Sequence, residues 1–121
     1  MSINSFTEII AWQKAHTLVL LVYKITEQFP RSEEFGLKNQ IRRAAVSIPS
    51  NIAEGYKRKS CKDSLHFYNM AEGSLEELKY QLLLAHDLKY FTDSEYQQAS
   101  ESMDETGKLI YGWIKSQKLN S

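Results

Sequence analysis

A proline in the middle of a helical pattern constrains the fold of this chain more than any other feature. Apolar and small side chains recur every three or four residues around it, as one face of a helix requires: Leu37, Ile41, Ala44, Ala45, Ile48 and Ile52. Pro49 does not shift the phase of this pattern, whereas a turn would. The sequence therefore predicts a continuous helix over Glu33–Tyr56 that is kinked at Pro49, because proline lacks an N–H and its ring presses on the carbonyl four residues back.

A second interpretation stays open, in which the helix stops and restarts near the proline. Ser47 or Ser50 would then cap the new helix, and the stretch SNIAE that begins at Ser50 resembles a capping box. In a kinked helix, these serines or Asn51 would instead hydrogen-bond the backbone group that Pro49 leaves free.

Three further helical patterns are present, and no strand pattern competes with them. We expect helices over Thr7–Gln28, Cys61–Lys89 and Ser94–Gln117. The expected N-caps of the four helices are Ser5 or Thr7, Ser32, Ser60 or Ser64, and Thr92 or Asp93. Four long helices with short connections predict a single all-α domain over residues 1–121, an antiparallel up-down-up-down four-helix bundle.

The first helix has its own predicted core face. The spacing assigns this face to Ile9, Trp12, His16, Val19 and Tyr23. His16 is then expected to be a hydrogen-bonded core residue rather than a metal ligand.

Composition bounds the class of protein. The chain has 121 residues, of which 42% are hydrophobic and 25% charged, which is typical of one globular domain. Its single cysteine, Cys61, excludes an internal disulfide and favours a reducing cytoplasm. The N-terminal stretch lacks the basic start and apolar run of a signal peptide. The longest apolar run, Leu18–Tyr23, is far shorter than the roughly 20 residues of a membrane span.

The residue types that carry chemistry do not indicate an enzyme. A di-iron helical bundle needs two Glu-x-x-His motifs, and the chain has none. Gly-rich phosphate loops are also missing from the sequence. Cys61 lies beside Lys59 and Lys62, but no general base with a fixed orientation accompanies it. We therefore expect no catalytic residues, no metal and no cofactor.

Charge is unevenly distributed, although the formal net charge is zero. Residues 38–62 carry a net charge of +6, from one acid (Glu54) and seven cations: Lys38, Arg42, Arg43, Lys57, Arg58, Lys59 and Lys62. These cations either form a solvated face or bind phosphate, with Tyr56 beside them to stack on a base. Nothing near them reads base identity, so the contact would be with the RNA or DNA backbone.

Two features favour self-association. The small residues of the second helix either pack closely inside the bundle or also form a subunit contact. Five acids and no Lys or Arg lie between Phe91 and Thr106, so the basic segment of one chain would dock on the acidic fourth helix of another. Two functions follow: a nucleic-acid-binding homo-oligomer, or a protein-interaction scaffold without nucleic acid.

Three stretches strongly resemble one bacterial family, in the same order along the chain. They are AWQKAHTLVLLVYKIT (Ala11–Thr26), QIRRAAVSIPSNIAEG (Gln40–Gly55) and EGSLEELKYQL (Glu72–Leu82). The family comprises the four-helix-bundle proteins that are encoded in intervening sequences of 23S ribosomal RNA genes.

The resemblance implies a small four-helix bundle that assembles into a ring-shaped homopentamer. Relatives of the family include the accessory protein of diversity-generating retroelements, which binds nucleic acid and a reverse transcriptase through a basic surface. By resemblance, the equivalent surface of this chain would hold the basic residues Lys38, Arg42, Arg43, Lys57, Arg58 and Lys59.

Overall fold

The computed structural model describes residues 3–120, which form four α-helices and two short 3-10 helices without any strand. The helices in chain order are the 3-10 helix Phe6–Glu8, α1 (Ile10–Thr26), the 3-10 helix Arg31–Glu33, α2 (Leu37–Lys57), α3 (Cys61–Asp87) and α4 (Asp93–Leu119). The prediction of an all-α fold with four helices is confirmed.

The second helix passes through the proline without a break. Pro49 lies inside α2 and is buried, so the helix does not restart at Ser47 or Ser50. The side-chain amide of Asn51 donates to the carbonyl of Ser47, at 2.8 Å. The carbonyl that proline leaves free is that of Ala45, so Asn51 does not take the role that the sequence suggested for it.

The predicted core face of α2 is buried in full: Leu37, Ile41, Ala44, Ala45, Ile48 and Ile52. The predicted face of α1 is right only in part: Ile9 is buried and Trp12 and Val19 pack against the core, but Tyr23 is exposed. The side chains that the helix itself buries are Ala11, Ala15, Leu18, Val22, Ile25 and Thr26. His16 is exposed and stacks on Trp12, with the ring centroids 5.1 Å apart, so it is not a core residue. Helix α1 is apolar on several faces, and its spacing therefore fits more than one core face.

Several predicted helix ends move for local reasons. Helix α2 begins at Leu37 rather than Glu33, and its N-cap is Gly36 rather than Ser32. The Glu33 carboxylate accepts the N–H of Leu37 at 2.9 Å, which satisfies one of the unpaired donors of the first turn. The 3-10 helix Phe6–Glu8 is capped by Ser5 and separates the predicted start of the first helix from α1.

The expected caps of the last two helices are confirmed, although α3 is shorter than predicted. Ser60 caps α3, and Thr92 caps α4 in a capping box with Glu95. Helix α3 ends at Asp87 because Lys89 adopts a positive φ of 64°. The N–H of the next residue then bonds the carbonyl of Ala85, the arrangement of a Schellman cap.

Each helix contacts two others: α2 lies against α1 and α3, and α4 lies against α1 and α3. The end of α2 meets the start of α3, where Gly55 lies against the ring of Tyr68. The start of α3 meets the end of α4, since Cys61 contacts the carbonyl of Gln117. One end of the fold therefore gathers the end of α2, the start of α3 and the end of α4.

Candidate nucleic-acid interface

The seven basic residues that the sequence singles out fall into two groups. Lys38, Arg42 and Arg43 lie in the first third of α2, whereas Lys57, Arg58, Lys59 and Lys62 surround the connection from α2 to α3. An α-helix rises about 1.5 Å per residue, which places Arg43 and Lys57 about 21 Å apart along α2. The seven cations therefore do not form one continuous patch on a single chain.

Lys38 is buried, which the sequence did not indicate. Its residue surface is only 7% exposed, and its Nζ lies 3.1 Å from the Glu34 carboxylate. A buried ammonium needs such a partner to offset the loss of its hydration. In a single chain, the charge of Lys38 is therefore paired with Glu34.

Arg42 binds residues at the end of α1. Its Nε donates to the Thr26 hydroxyl at 2.8 Å, and one terminal nitrogen donates to the Tyr23 carbonyl at 3.1 Å and to Glu27 at 3.0 Å. The guanidinium also lies 4.3 Å from the centroid of the Tyr23 ring. The hydrogen bond from Arg42 lowers the pKa of Glu27 below its usual value. Arg42 thus adds a second donor to the Tyr23 carbonyl, which already accepts the N–H of Glu27 at 3.2 Å, and ties α2 to the last turn of α1.

Arg43, the next residue, differs from both. It is exposed and forms no ion pair within residues 3–120. Its side chain borders shallow surface grooves with Asn39 and Ser47. Of the first group, Arg43 is therefore the residue that stands open to an external anion.

The second group forms what we call the basic corner, which consists of Lys57, Arg58, Lys59 and Lys62. All four are exposed. Arg58 donates to Glu54 at 2.6 Å, and its guanidinium lies 4.4 Å from the centroid of the Phe67 ring. The three lysines form no ion pair with any other part of the described chain. Their charges are therefore directed to solvent.

The local sequence explains why the corner is tight. Helix α2 ends at Lys57 and α3 begins at Cys61, with Ser60 accepting the N–H of Asp63 at 3.1 Å. A Cβ at Gly55 would overlap the ring of Tyr68, so glycine permits this close approach of α2 to α3. Three of the four cations therefore stand on the consecutive positions 57–59, and the fourth, Lys62, lies in the first turn of α3.

The acidic residues of α4 already have partners in the chain. The Asp93 carboxylate lies 2.6 Å from Nε2 of His86, and Glu105 lies 3.2 Å from Lys14. Asp104 lies 3.9 Å from Lys79. The carboxylate of Glu101 accepts from the Gln97 amide, and that of Glu95 accepts from the Thr92 hydroxyl. These acids stay exposed, but unlike the lysines of the basic corner they have partners inside the chain.

Two general features bear on the kind of site. Among residues 3–120, no group of three His, Cys, Asp or Glu side chains is placed to hold a metal ion. None of the helices in that range is both long and apolar enough to cross a bilayer.

Comparisons with known proteins place the chain in a family. The model of the 23S rRNA-intervening sequence protein family matches residues 7–112. A crystal structure of a protein with unknown function from the S23 ribosomal protein family of Bacteroides thetaiotaomicron has a TM-score of 0.80 to this fold. The two sequences are 25% identical, over 87% of this chain and 98% of that one. No curated protein matches the chain. Because the family model spans most of its length, the chain belongs to the 23S rRNA-intervening sequence protein family.

Proposed function

We propose that this protein is a non-enzymatic, cytoplasmic homo-oligomer that binds the sugar–phosphate backbone of RNA or DNA through its basic corner. The observation that supports this most is the exposure of Lys57, Lys59 and Lys62 without ion pairs inside the described chain. Unpaired lysines gain affinity for phosphates by releasing condensed counterions, and this gain is independent of sequence.

The proposed oligomer is the homopentamer that the family resemblance implies. Large hydrophobic side chains on the surface of the single chain support burial against other copies: Leu20 and Leu83, and Tyr80 and Tyr111. Five copies of a 14.0 kDa chain would have a mass of about 70 kDa. A ring would repeat the basic corner and so multiply weak phosphate contacts.

The proposed scaffold is an up-down-up-down bundle in which α2 bends at Pro49. Contacts at the helix ends favour this order, since Arg42 near the start of α2 binds Thr26 at the end of α1. Tyr56 near the end of α2 donates to the carbonyl of Ile3, which precedes α1. The missing N–H of Pro49 supports a bend at that point.

A matched pair of double variants tests the backbone contact. The variant Lys57→Gln with Lys62→Gln removes two charges from the basic corner, and the control Lys24→Gln with Lys108→Gln removes two exposed charges elsewhere. We expect the corner variant to bind a labelled structured RNA more weakly at low salt, while the control binds like the parent. Native mass measurement should give the same oligomer for all three proteins. Equal RNA affinity of the corner variant and the control would contradict the proposal.

The alternative is a protein scaffold in which the basic corner of one copy docks on α4 of the next. The partners of the α4 acids inside the chain count against it. Such an assembly would dissociate at high salt, and RNA would not compete with any protein partner. An oligomer whose mass is indifferent to salt would count further against it.

A further inference from the structure

A cavity of about 530 Å³, which is open to solvent like the grooves beside Arg43, lies beside the basic corner, where the end of α2, the start of α3 and the end of α4 meet. Its lining includes Arg58 and Lys59 at the rim, Tyr56, Tyr68 and Trp113 as aromatic walls, and Gln117 on α4. The sequence did not indicate a cavity at this place.

Two polar groups in this lining carry an N–H or O–H that no acceptor in the described chain takes up in ordinary geometry, and Nε1 of Trp113 is the buried one. Tyr68 is 2% exposed, and its hydroxyl donates to no acceptor within residues 3–120. Nε1 of Trp113 is shielded from solvent and forms no hydrogen bond of ordinary geometry. Burial raises the pKa of Tyr68, and the nearby indole N–H of Trp113 lowers it only in part. Tyr68 thus keeps its proton and can donate a hydrogen bond to a bound group.

The start of α3 and the end of α4 lie on opposite sides of the cavity and carry helix-dipole charges of opposite sign. Helix α3 begins at Cys61, so its unpaired N–H groups and the positive end of its dipole lie near Lys59. Helix α4 ends at Leu119, and the carbonyl of Gln117 in its last turn lies opposite, where it accepts from Sγ of Cys61 at 3.8 Å and from the N–H of Asn120 at 3.3 Å. One wall therefore favours an anion, and the other favours a hydrogen-bond donor.

We propose that this cavity binds one nucleotide, with its phosphate at Lys59 and the start of α3 and its base beside Trp113. An exocyclic amino group of the base donates to the carbonyls at the end of α4. A nucleotide carries a phosphate for the start of α3, an amino group for the end of α4 and a flat base for the aromatic walls, whereas inorganic phosphate carries only the anion. This inference deepens the proposed nucleic-acid function, because it names the unit that is bound.

Calorimetric titration of the full chain with mononucleotides tests the site. We expect adenosine and cytidine 5′-monophosphates to bind more tightly than uridine 5′-monophosphate, whose base lacks an amino group, and than inorganic phosphate. Tyr68→Phe removes only the hydroxyl and should weaken adenosine 5′-monophosphate binding about tenfold. The matched control, Tyr80→Phe, changes an exposed tyrosine of α3 outside the cavity and should leave the affinity unchanged. Lys59→Gln, on the exposed rim, should weaken binding without affecting the fold.

Equal affinities of adenosine monophosphate and inorganic phosphate, or of the Tyr68→Phe and Tyr80→Phe variants, would overturn the inference. A linear RNA and its circular form distinguish two sources of the nucleotide. If the linear RNA binds more tightly than the circular RNA and adenosine monophosphate competes with it, the site binds the end of a strand. If both RNAs bind equally while mononucleotides also bind, the site binds a free nucleotide. The backbone proposal fails separately, if the Lys57 and Lys62 double variant, whose positions lie outside the cavity lining, keeps full RNA affinity.

Discussion

Nε of Arg42 on α2 donates a hydrogen bond to the hydroxyl of Thr26 at the end of α1, at 2.8 Å. Thr26 is fully buried, and its hydroxyl in turn donates to the carbonyl of Val22 at 2.7 Å. The two residues thus connect α2 to the last turn of α1 through a chain of satisfied polar groups. A residue that sequence reasoning assigned to nucleic-acid binding therefore has a structural role in the single chain.

The neighbouring arginines give a matched test of this role. Arg42→Gln should lower the free energy of unfolding by about 1–3 kcal/mol, because it removes charge-assisted hydrogen bonds and leaves the buried Thr26 hydroxyl without its donor. Arg43→Gln, at an exposed position without an ion pair in the described chain, should change it by less than about 0.5 kcal/mol. Urea unfolding of both variants measures the difference, and equal losses would contradict the assignment.

Two helical glycines should respond to alanine in opposite directions. Gly55→Ala places a methyl group against the Tyr68 ring and the Ser64 carbonyl and should cost about 1–3 kcal/mol. Gly73 has no atom within 4 Å of an added Cβ, so Gly73→Ala should stabilise the single chain by up to about 1 kcal/mol. Urea unfolding of the two variants checks the signs. A stabilised Gly55→Ala variant would show that α2 and α3 are not in close contact there.

Glu33 should make stability depend on pH on the acid side. The hydrogen bond from the Leu37 N–H, and then that from the Tyr90 hydroxyl, hold the pKa of Glu33 below its ordinary value of 4.5. The carboxylate therefore contributes stability that is complete above the unfolded-state pKa and is lost as the pH falls through the lower folded-state pKa.

Glu33→Gln, which does not titrate, tests this dependence. The difference in unfolding free energy between the parent and the variant should narrow as the pH falls below about 4.5. Tyr90→Phe removes one of the two hydrogen bonds and should give an intermediate slope. Denaturant unfolding across a pH series measures all three, and parallel curves would refute the role of Glu33.

Pro49 is predicted to shape α2. Pro49→Ala restores an N–H that can reach the Ala45 carbonyl, so it should straighten the helix and alter assembly. We expect a changed oligomer mass or thermal midpoint, whereas Pro30→Ala, at an exposed position before a short turn, should leave the oligomer mass unchanged. The same mass and the same midpoint in the Pro49 variant would contradict the prediction.

Sequence periodicity predicted the helices whose apolar residues occupy one face. In α2, charged and polar residues such as Arg42, Arg43, Ser50 and Glu54 mark the outer faces, so one face suits the core best, and the structure buries it. In α1, the run Leu18–Tyr23 is apolar throughout, and a shift by one residue changes which side chains are buried. The core face of a helix is therefore predicted well when its apolar residues lie on one side, and poorly when apolar residues lie on several sides.

Charge counts could not separate the exposed lysines of the basic corner from the buried or paired cations at the start of α2. The corner lies at a helix connection, where no neighbouring helix carries acids against Lys57 or Lys59. Lys38 meets Glu34 one turn away, and Arg42 meets the Tyr23 carbonyl and the Thr26 hydroxyl near the end of α1. The second contact depends on how α1 and α2 pack, and that packing is not visible in a count of charges.

The salt dependence of RNA binding tests the central claim most directly. The affinity of the parent for a single-stranded RNA should fall steeply with salt, and the Lys57→Gln, Lys62→Gln variant should show a slope of log K against log salt reduced by about 0.7 for each lost phosphate contact. The control variant at Lys24 and Lys108 should keep the parent slope. Identical slopes for all three proteins, or no RNA binding by the parent at low salt, would contradict backbone binding at the basic corner.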